Sequence, residues 1–272
     1  MQFPIRINKY LAERNVATRR GADLLISAGL VKINGRVAKL GEKVLAGDKV
    51  EVGKEIQKEY AYPHTKNFGV GVYLAYNKPA GVVTHSSKPQ GHPEQSRRVT
   101  HSPQAGEKDI KQVLKLKEGM FPVGRLDKDS SGLIIITNDG RITDKMLNPK
   151  FFHEKEYSAA VDRPISNTFL LKIKQGFNIG PSTGAHHYPM RQERVRPAKI
   201  RKTGPESFDI ILTEGKNRQI RRMGKALGYN VINLKRIRIM NIKLGNLKTG
   251  ATRKIEGLEL KEFLESLGLN FS

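Results

Sequence analysis

The segment 216–254 most constrains how this chain can fold, because it is strongly charged with one sign and is also rich in apolar residues. It holds twelve lysine and arginine residues and no aspartate or glutamate. A charged tail would have no regular apolar positions, so the segment is predicted to fold and to present its basic side chains at a surface. The interleaved apolar residues are Ile220, Met223, Leu227, Val231, Leu234, Ile237 and Ile239.

The whole chain has a net charge of +23, from 49 basic and 26 acidic residues. Solubility alone needs a net charge of only about 2 to 8 in a small domain. A solvated basic surface is one explanation, but the clustering favours a polyanionic partner, and nucleic acid above all. A membrane-surface helix is disfavoured because Gly228, Gly245 and Gly250 interrupt the basic segment.

Composition excludes several kinds of chemistry. The 272 residues contain no cysteine, so a disulfide framework, a cysteine nucleophile and thiolate metal sites are ruled out. No phosphate-binding loop of the G-x-x-x-x-G-K-[ST] type occurs. His153, His186 and His187 lack metal-ligand spacing, and we predict neither a metal nor a cofactor. The longest apolar run, Leu133–Ile136, is too short for a membrane span, and we expect a cytoplasmic protein without a signal peptide.

The N-terminal part predicts a small helical and β module. A short helix is expected over 5–15, and a second, capped by Thr18, over 19–28. Asn34-Gly35 then predicts a tight turn between two short strands, and 49–52 a closing strand. Length favours about two domains, which we place at 1–58 and 71–272, with a linker at 59–70.

This module resembles an S4 RNA-binding domain. The resemblance lies in Arg6-Ile-Asn-Lys-Tyr-Leu-Ala-Glu13, Ala17-Thr-Arg-Arg20, Ala22-Asp-Leu-Leu-Ile26 and Gly29-Leu-Val-Lys-Ile-Asn-Gly35. It implies that the helices and the hairpin bind structured RNA. The candidate RNA contacts are Lys9, Arg19, Arg20 and Lys32.

The second domain begins with a predicted strand at 72–76, a turn at 77–81, a strand at 82–84 and a long loop at 85–108. Further on, a turn at 130–132 is expected to precede a buried strand over 133–137. Asp127 stands just before that turn, at the expected rim of a sheet. From spacing alone, an aspartate near glycine and serine is most often a turn or cap residue.

A second resemblance gives Asp127 a different role. Several motifs, in the right order, resemble those of the pseudouridine synthases. The resemblance is greatest to the RsuA branch, which carries an N-terminal S4 domain, and within that branch to the F type of large-subunit synthase. The motifs are Asn77-Lys-Pro-x-Gly81, Gly124-Arg-Leu-Asp127-x-x-Ser130-x-Gly132, His153-Glu-Lys-Glu-Tyr157, Glu214-Gly-Lys-Asn-Arg218-Gln-Ile-Arg221-Arg222-Met223 and Arg236-x-Arg238-Ile239-Met240.

The resemblance implies an isomerase that converts uridine to pseudouridine within RNA. It implies an α+β catalytic domain with a mixed, largely antiparallel sheet and a central cleft. Asp127 would be the catalytic carboxylate, Arg221 its ion-pair partner and Tyr157 the residue that stacks on the base, with Arg218 or Arg222 as alternatives to Arg221. The expected substrate-binding residues are Arg125, in the space left by a flipped uridine, Lys78, at a phosphate, Arg218 and Arg222.

The expected substrate is a folded ribosomal RNA stem-loop, because proteins read RNA sequence mainly at unstacked loop bases. The large-subunit RNA is favoured, with a transfer RNA as a possible second substrate, and a monomer is expected. Two alternatives are a non-catalytic RNA-binding or ribosome-assembly protein, and a DNA-binding protein. The latter fits the charge but explains neither set of motifs.

Overall fold

The computed structural model describes residues 3–14, 16–17, 19–53, 71–84, 108–117, 119–181 and 192–269. The chain divides into two compact units, at 1–71 and 72–272. The predicted linker at 59–70, the helix cap at Thr18 and all of the predicted loop except Lys108 lie outside the described residues. The domain boundary within 58–71 therefore stays a prediction.

The first unit packs two helices against short strands. Its described elements are β1 (Ile5–Arg6), α1 (Ile7–Glu13), α2 (Arg19–Ser27), β2 (Val31–Ile33), β3 (Arg36–Val37), β4 (Lys43–Val44) and β5 (Val50–Val52). β2 pairs with both β3 and β5, and β1 pairs with β4. Asn34 and Gly35 have φ of 52° and 79°, as a tight hairpin with two left-handed residues requires. The first helix is shorter than predicted because Ile5 and Arg6 pair with β4.

The second unit is built on a mixed sheet of nine strands among the described residues. The strands of the unit are β6 (Tyr73–Lys78), β7 (Phe121–Val123), β8 (Ser131–Thr137), β9 (Lys155–Val161), β10 (Asn178–Pro181), β11 (Gln192–Arg194), β12 (Lys199–Gly204), β13 (Ser207–Leu212), β14 (Val231–Ile239), β15 (Ile242–Lys243) and β16 (Thr252–Lys254). The order is β12-β13-β9-β14-β8-β6-β16, with β15 beside β14, β7 beside β8, and β10 with β11 as a separate hairpin. β14 and β8 are parallel and the other pairs are antiparallel. The predicted α+β fold with a mixed, largely antiparallel sheet is confirmed.

Helices cover both faces of the central strands. They are α3 (Ile110–Leu114), α4 (Ile142–Leu147), α5 (Asn167–Gln175), α6 (Gln219–Ala226) and α7 (Gly257–Ser266). Leu133 and Ile135 of β8 pack into a core with α4 and α7, whereas Ile134 and Ile136 pack into another with α3. This two-sided burial explains why the strand is a continuous apolar run without alternation. No helix in the described part of the chain has the length and apolarity needed to cross a bilayer.

Two predicted elements are wrong in detail. Residues 82–84 form no strand, since Val83 makes one isolated parallel bridge to Asp109 and the Thr84 hydroxyl contacts Leu126. The strand predicted over 133–137 begins two residues earlier, because Ser131 and Gly132 already pair with β14.

Candidate active site

Asp127 lies on the loop between β7 and β8, and main-chain contacts hold this loop on both sides. The Ser130 N–H donates to the Asp127 carbonyl at 3.1 Å, and the Gly81 N–H donates to the Lys128 carbonyl at 2.7 Å. The Asp127 side chain is 31% exposed. The carboxylate is therefore open to an incoming molecule, while its backbone is fixed.

Thr84 holds the residue that precedes Asp127. Its hydroxyl donates to the Leu126 carbonyl at 2.7 Å and accepts from the Leu126 N–H at 3.1 Å. Both Thr84 and Leu126 are buried. One side chain thus satisfies both main-chain groups of Leu126, which limits how far the neighbouring Asp127 can move. No local sequence pattern indicates this role of Thr84, because its hydroxyl reaches a residue 42 positions further along the chain.

Arg218 is the described cation that approaches the Asp127 carboxylate, with Nη1 3.8 Å from Oδ2. The same guanidinium forks onto Asp129, where Nη1 and Nη2 donate at 3.1 and 2.8 Å. Arg218 stands just before α6 with φ of 45° and ψ of 37°, a left-handed conformation that few non-glycine residues adopt. The charged part of the site thus consists of the Asp127 and Asp129 carboxylates and the Arg218 guanidinium, which the left-handed turn at Arg218 places beside them.

The predicted ion pair between Arg221 and Asp127 is wrong as to the partner. Arg221 Nε lies 3.2 Å from Asp129 Oδ2, and its Nη2 donates to the Asp129 carbonyl at 3.0 Å. Its Nη1 donates to the Val231 carbonyl at 2.7 Å. Both arginines reach Asp129, but Arg221 also contacts the β14 and loop backbones, whereas Arg218 extends to the Asp127 carboxylate. Arg221 therefore supports the loop that carries Asp127.

Asp129 forms ion pairs with both of these arginines. Burial raises the pKa of the Asp129 carboxyl, but the hydrogen bonds from Arg218 and the charge of Arg221 outweigh burial and leave the pKa below its ordinary value. In return, the hydrogen bond to Asp129 raises the pKa of the Arg218 guanidinium. Asp129 stays ionised at neutral pH and fixes the cation beside Asp127.

Arg222 was predicted to bind the substrate, but its side chain is committed to contacts within the protein. Its side chain is 10% exposed and pairs with Glu193 at 2.6 Å. Its Nη2 donates to the carbonyls of Gly180 and Pro181 at 2.8 and 2.9 Å. Because its guanidinium N–H groups bind residues of the β10 and β11 hairpin, Arg222 links that hairpin to α6.

Lys78 does not reach a phosphate, because it is fully buried at the end of β6. Its Nζ donates to the Pro79 and Val82 carbonyls at 2.9 and 2.8 Å. Burial lowers its pKa to about 8, although the charges of Asp127 and Asp129 act in the opposite direction. Lys78 therefore shapes the turn whose Gly81 and Thr84 hold the Asp127 loop.

One row of the sheet runs beneath this site. Tyr157 on β9 lies opposite Arg236 on β14, Arg236 lies opposite Gly132 on β8, and Gly132 lies opposite Lys78 on β6. Arg236 is buried, and its Nε donates to the Leu133 carbonyl at 2.7 Å. With strands about 4.8 Å apart, Tyr157 lies about 10 Å from Gly132. The row brings the predicted Tyr157 and the start of β8 close together.

The remaining predicted residues lie at surfaces. Arg125 is exposed, and Tyr157 is half-buried beside the core of β9 and β13. In the first unit, Arg19 and Lys32 are exposed, and Lys9 pairs with Glu13 at 3.5 Å across one helical turn. The side chain of Arg20 lies outside the described parts. Within the described residues, no group of three or more His, Asp or Glu could hold a metal ion.

The comparisons with known proteins agree with this fold. Residues 72–226 match the RNA pseudouridylate synthase family, and residues 5–62 match the S4 domain. The chain belongs to the RNA pseudouridylate synthase family. It is an enzyme that isomerises uridine to pseudouridine in RNA, and a purely RNA-binding role is not favoured.

Particular relatives refine that membership. The chain is 37% identical to the dual-specificity RNA pseudouridine synthase RluF of Salmonella typhi, over 94% of this chain and 77% of that protein. It is 32% identical to the ribosomal large subunit pseudouridine synthase B of Bacillus subtilis, over 94% of each chain. A crystal structure of a pseudouridylate synthase superposes with a TM-score of 0.60 at 24% identity, covering 97% of this chain and 99% of that one, which supports the fold.

Proposed function

We propose that the enzyme modifies a uridine in large-subunit ribosomal RNA and that Asp127 is its catalytic residue. Asp127 carries the proposal because its carboxylate is exposed, lies on a loop held from both sides, and has the Arg218 guanidinium 3.8 Å away. The similarity to a synthase named for the ribosomal large subunit supports this choice of RNA. The words "dual-specificity" in the name of the Salmonella relative support a second substrate, for which we propose a transfer RNA.

The reaction needs no redox partner. The bond from C1′ of the ribose to N1 of uracil breaks, the base turns, and C1′ bonds to C5. The C5 proton is then lost, and N1 ends with a proton, so atoms and charge balance. The Asp127 carboxylate acts either as the nucleophile at C1′ or as the base that removes the 2′ proton. Both routes require an ionised carboxylate, and the Arg218 guanidinium 3.8 Å away is its cationic neighbour.

Other residues would hold the RNA in place. Tyr157 stacks on the uracil that leaves the helix, and Arg125, exposed at the start of the same loop as Asp127, enters the space that the base vacates. In the S4 domain, the cations Lys9, Arg19, Arg20 and Lys32 contact the flanking stem. We further propose that the enzyme is a monomer and that it acts in the cytoplasm, where it meets ribosomal RNA.

Mapping of pseudouridine in RNA from cells with and without this protein tests the substrate. We expect at least one pseudouridine of the large-subunit RNA to disappear in its absence and to return with the wild-type chain. Loss only in transfer RNA would contradict the ribosomal assignment while leaving the enzyme class intact. No loss in either RNA would contradict both substrate proposals.

A further inference from the structure

Two adjacent phenylalanine rings are exposed on the catalytic unit. Phe151 is 43% exposed and Phe152 is 58% exposed, and together we name them the aromatic platform. They end a short 3-10 turn, Pro149–Phe151, between α4 and β9. Single exposed apolar residues are common on protein surfaces, but two large exposed aromatic side chains at consecutive positions are less usual and offer two rings to a ligand.

Cations lie against both rings. The Lys150 Nζ is 4.7 Å from the centre of the Phe151 ring, and the Arg196 Cζ is 4.3 Å from the centre of the Phe152 ring. His153 stacks on Phe151 with ring centres 5.9 Å apart. Arg196 is held in place, since its Nη1 donates to the Pro149 carbonyl at 3.0 Å and its N–H to Glu214 at 2.9 Å. Exposed aromatic rings accompanied by positive charges suit a ligand with planar rings and negative charge.

The backbone shows that the exposure of Phe152 is a feature of the fold. Phe152 has φ of 55° and ψ of 26°, a left-handed conformation in which glycine or asparagine is favoured and a bulky residue is an outlier. Such conformations persist where the surrounding structure determines them, and they concentrate at functional sites. Here the conformation ends the turn and leaves the Phe152 ring beside Arg196.

The aromatic platform lies near the catalytic loop. Tyr157 is five positions after Phe152 in the chain, so their Cα atoms are at most about 18 Å apart. On the other side, the Leu147 side chain packs against Gly124, where an added Cβ would lie 2.9 Å from Leu147 Cδ2. Gly124 is three residues from Asp127. The platform is therefore close enough to Asp127 and Tyr157 for a nucleotide a few positions from the target uridine to reach it.

We infer that the aromatic platform stacks an unpaired base of the substrate RNA that flanks the target uridine, while Lys150 and Arg196 contact its phosphates. The inference rests on the proposed function, because it needs an RNA substrate at Asp127. Stacking is tolerant of base identity, since every base has a flat face. The platform thus contributes affinity for an opened loop rather than recognition of one sequence.

The test uses the full chain and a transcript of large-subunit ribosomal RNA that contains 5-tritiated uridine. The double variant Phe151→Leu/Phe152→Leu keeps apolar side chains and removes both rings, whereas Phe151→Tyr/Phe152→Tyr keeps the rings. We expect the leucine variant to raise KM roughly 5- to 30-fold with kcat unchanged, and the tyrosine variant to retain the wild-type KM. Leu258→Ala is the matched control, because Leu258 is 76% exposed among the acidic residues of α7 and should leave KM unchanged.

An abasic nucleotide separates stacking from other effects. Placed beside the mapped target in a hairpin, it should weaken wild-type binding by the same factor as the leucine variant, and combining the two changes should weaken binding no further. An unchanged KM in the leucine variant would overturn the inference, as would additive effects in this cycle. If KM is unchanged and sedimentation shows altered self-association, the platform contacts protein instead. Absence of tritium release by the wild-type chain from any RNA would instead contradict the proposed function.

Discussion

At the scale of single residues, Asp127 owes its position to its neighbours in the chain. The Asp127 side chain has one cation at 3.8 Å, but its loop is held by the Thr84 hydroxyl on Leu126 and by Gly81 on Lys128. Both holding residues follow β6, whose last residue, Lys78, binds the intervening carbonyls. Thr84 and Lys78 are therefore positioning residues that act through the backbone.

Removing the Thr84 hydroxyl should slow catalysis without weakening RNA binding. Thr84→Val leaves two buried main-chain groups of Leu126 without their partner, which costs about 1–3 kcal/mol of stability. A small displacement of Asp127 should lower kcat by roughly 10- to 100-fold, while KM stays close to the wild-type value. Tritium release measured well below the melting temperature gives both constants. Thr84→Ser keeps the hydroxyl and should restore kcat; a serine variant as slow as the valine variant would contradict the positioning role.

Asp139 gives a test of pH dependence. It is buried, and its carboxylate accepts a hydrogen bond from the Tyr73 hydroxyl. It also accepts hydrogen bonds from the Arg141 guanidinium at 2.7 to 3.1 Å. Burial alone would raise the pKa of its carboxyl, but these hydrogen bonds outweigh burial and lower the pKa. The folded state then binds fewer protons than the unfolded state, so this stabilisation is present above the ordinary pKa of about 4 and is lost as pH falls through the lower folded value.

We expect Asp139→Asn to unfold more easily than the wild type at pH 7, by about 1–3 kcal/mol. That difference should shrink as the pH falls below about 4. Urea unfolding followed by circular dichroism between pH 2 and 7 measures it. Arg201→Gln serves as the control, because the Arg201 side chain is 76% exposed and its pair with Asp209 contributes less than about 1 kcal/mol. A difference that is constant with pH would contradict the assignment.

At the scale of elements, the parallel contact of β8 with β14 builds the floor of the site. Gly132 lies between Arg236 and Lys78 with φ of 104°. A Cβ at this position would lie 2.3 Å from the Arg236 carbonyl oxygen and 2.6 Å from its nitrogen. Only glycine allows the two strands to approach this closely, which explains why a glycine stands here, just after the loop of Asp127.

Gly132→Ala should therefore disrupt the sheet at the site. Backbone strain and the clash together predict a loss of roughly 3–5 kcal/mol, seen as a fall in melting temperature of the order of 10 °C. Gly140→Ala is the matched control, since no atom lies within 4 Å of its added Cβ. Equal melting temperatures for the two variants would show that β8 and β14 separate without loss of stability.

At the scale of the whole molecule, sequence patterns predict what local forces determine. The Asn34-Gly35 hairpin follows from turn geometry, and the buried strand before Asn138 follows from its apolar run. The family resemblance predicts that the loop of Asp127 carries the site. It left Arg218 and Arg222 as alternatives to Arg221 beside Asp127, and no local pattern could choose Arg218, because the left-handed turn at Arg218 and the contact of Arg221 with β14 are tertiary features. The sequence also did not predict that Lys78 is buried, since a lysine in a short polar motif is usually exposed to solvent.

The basic side chains of segment 216–254 fall into two groups, those paired within the protein and those exposed to solvent. Arginines within it pair with acidic residues from other segments, as Arg218 with Asp129, Arg222 with Glu193 and Arg238 with Glu154 and Glu156. Exposed lysines such as Lys225 and Lys243 remain to face a polyanion. The net charge of +23 is thus partly structural and partly available to RNA.

RNA binding should consequently depend steeply on salt. If about six phosphates are neutralised, affinity should fall about 10³-fold between 50 and 200 mM salt. Filter binding of the ribosomal transcript across this range measures the slope. An affinity that does not change with salt would contradict a phosphate-based grip.

The central claim is that the Asp127 carboxylate reacts with the ribose of an unstacked uridine. Its most direct test is tritium release from 5-tritiated uridine in RNA by the wild type, Asp127→Asn and the matched variant Asp129→Asn. We predict release by the wild type, slower release by Asp129→Asn because Arg218 loses its fork, and none by Asp127→Asn, which still binds RNA. Release by Asp127→Asn at the wild-type rate would contradict the account.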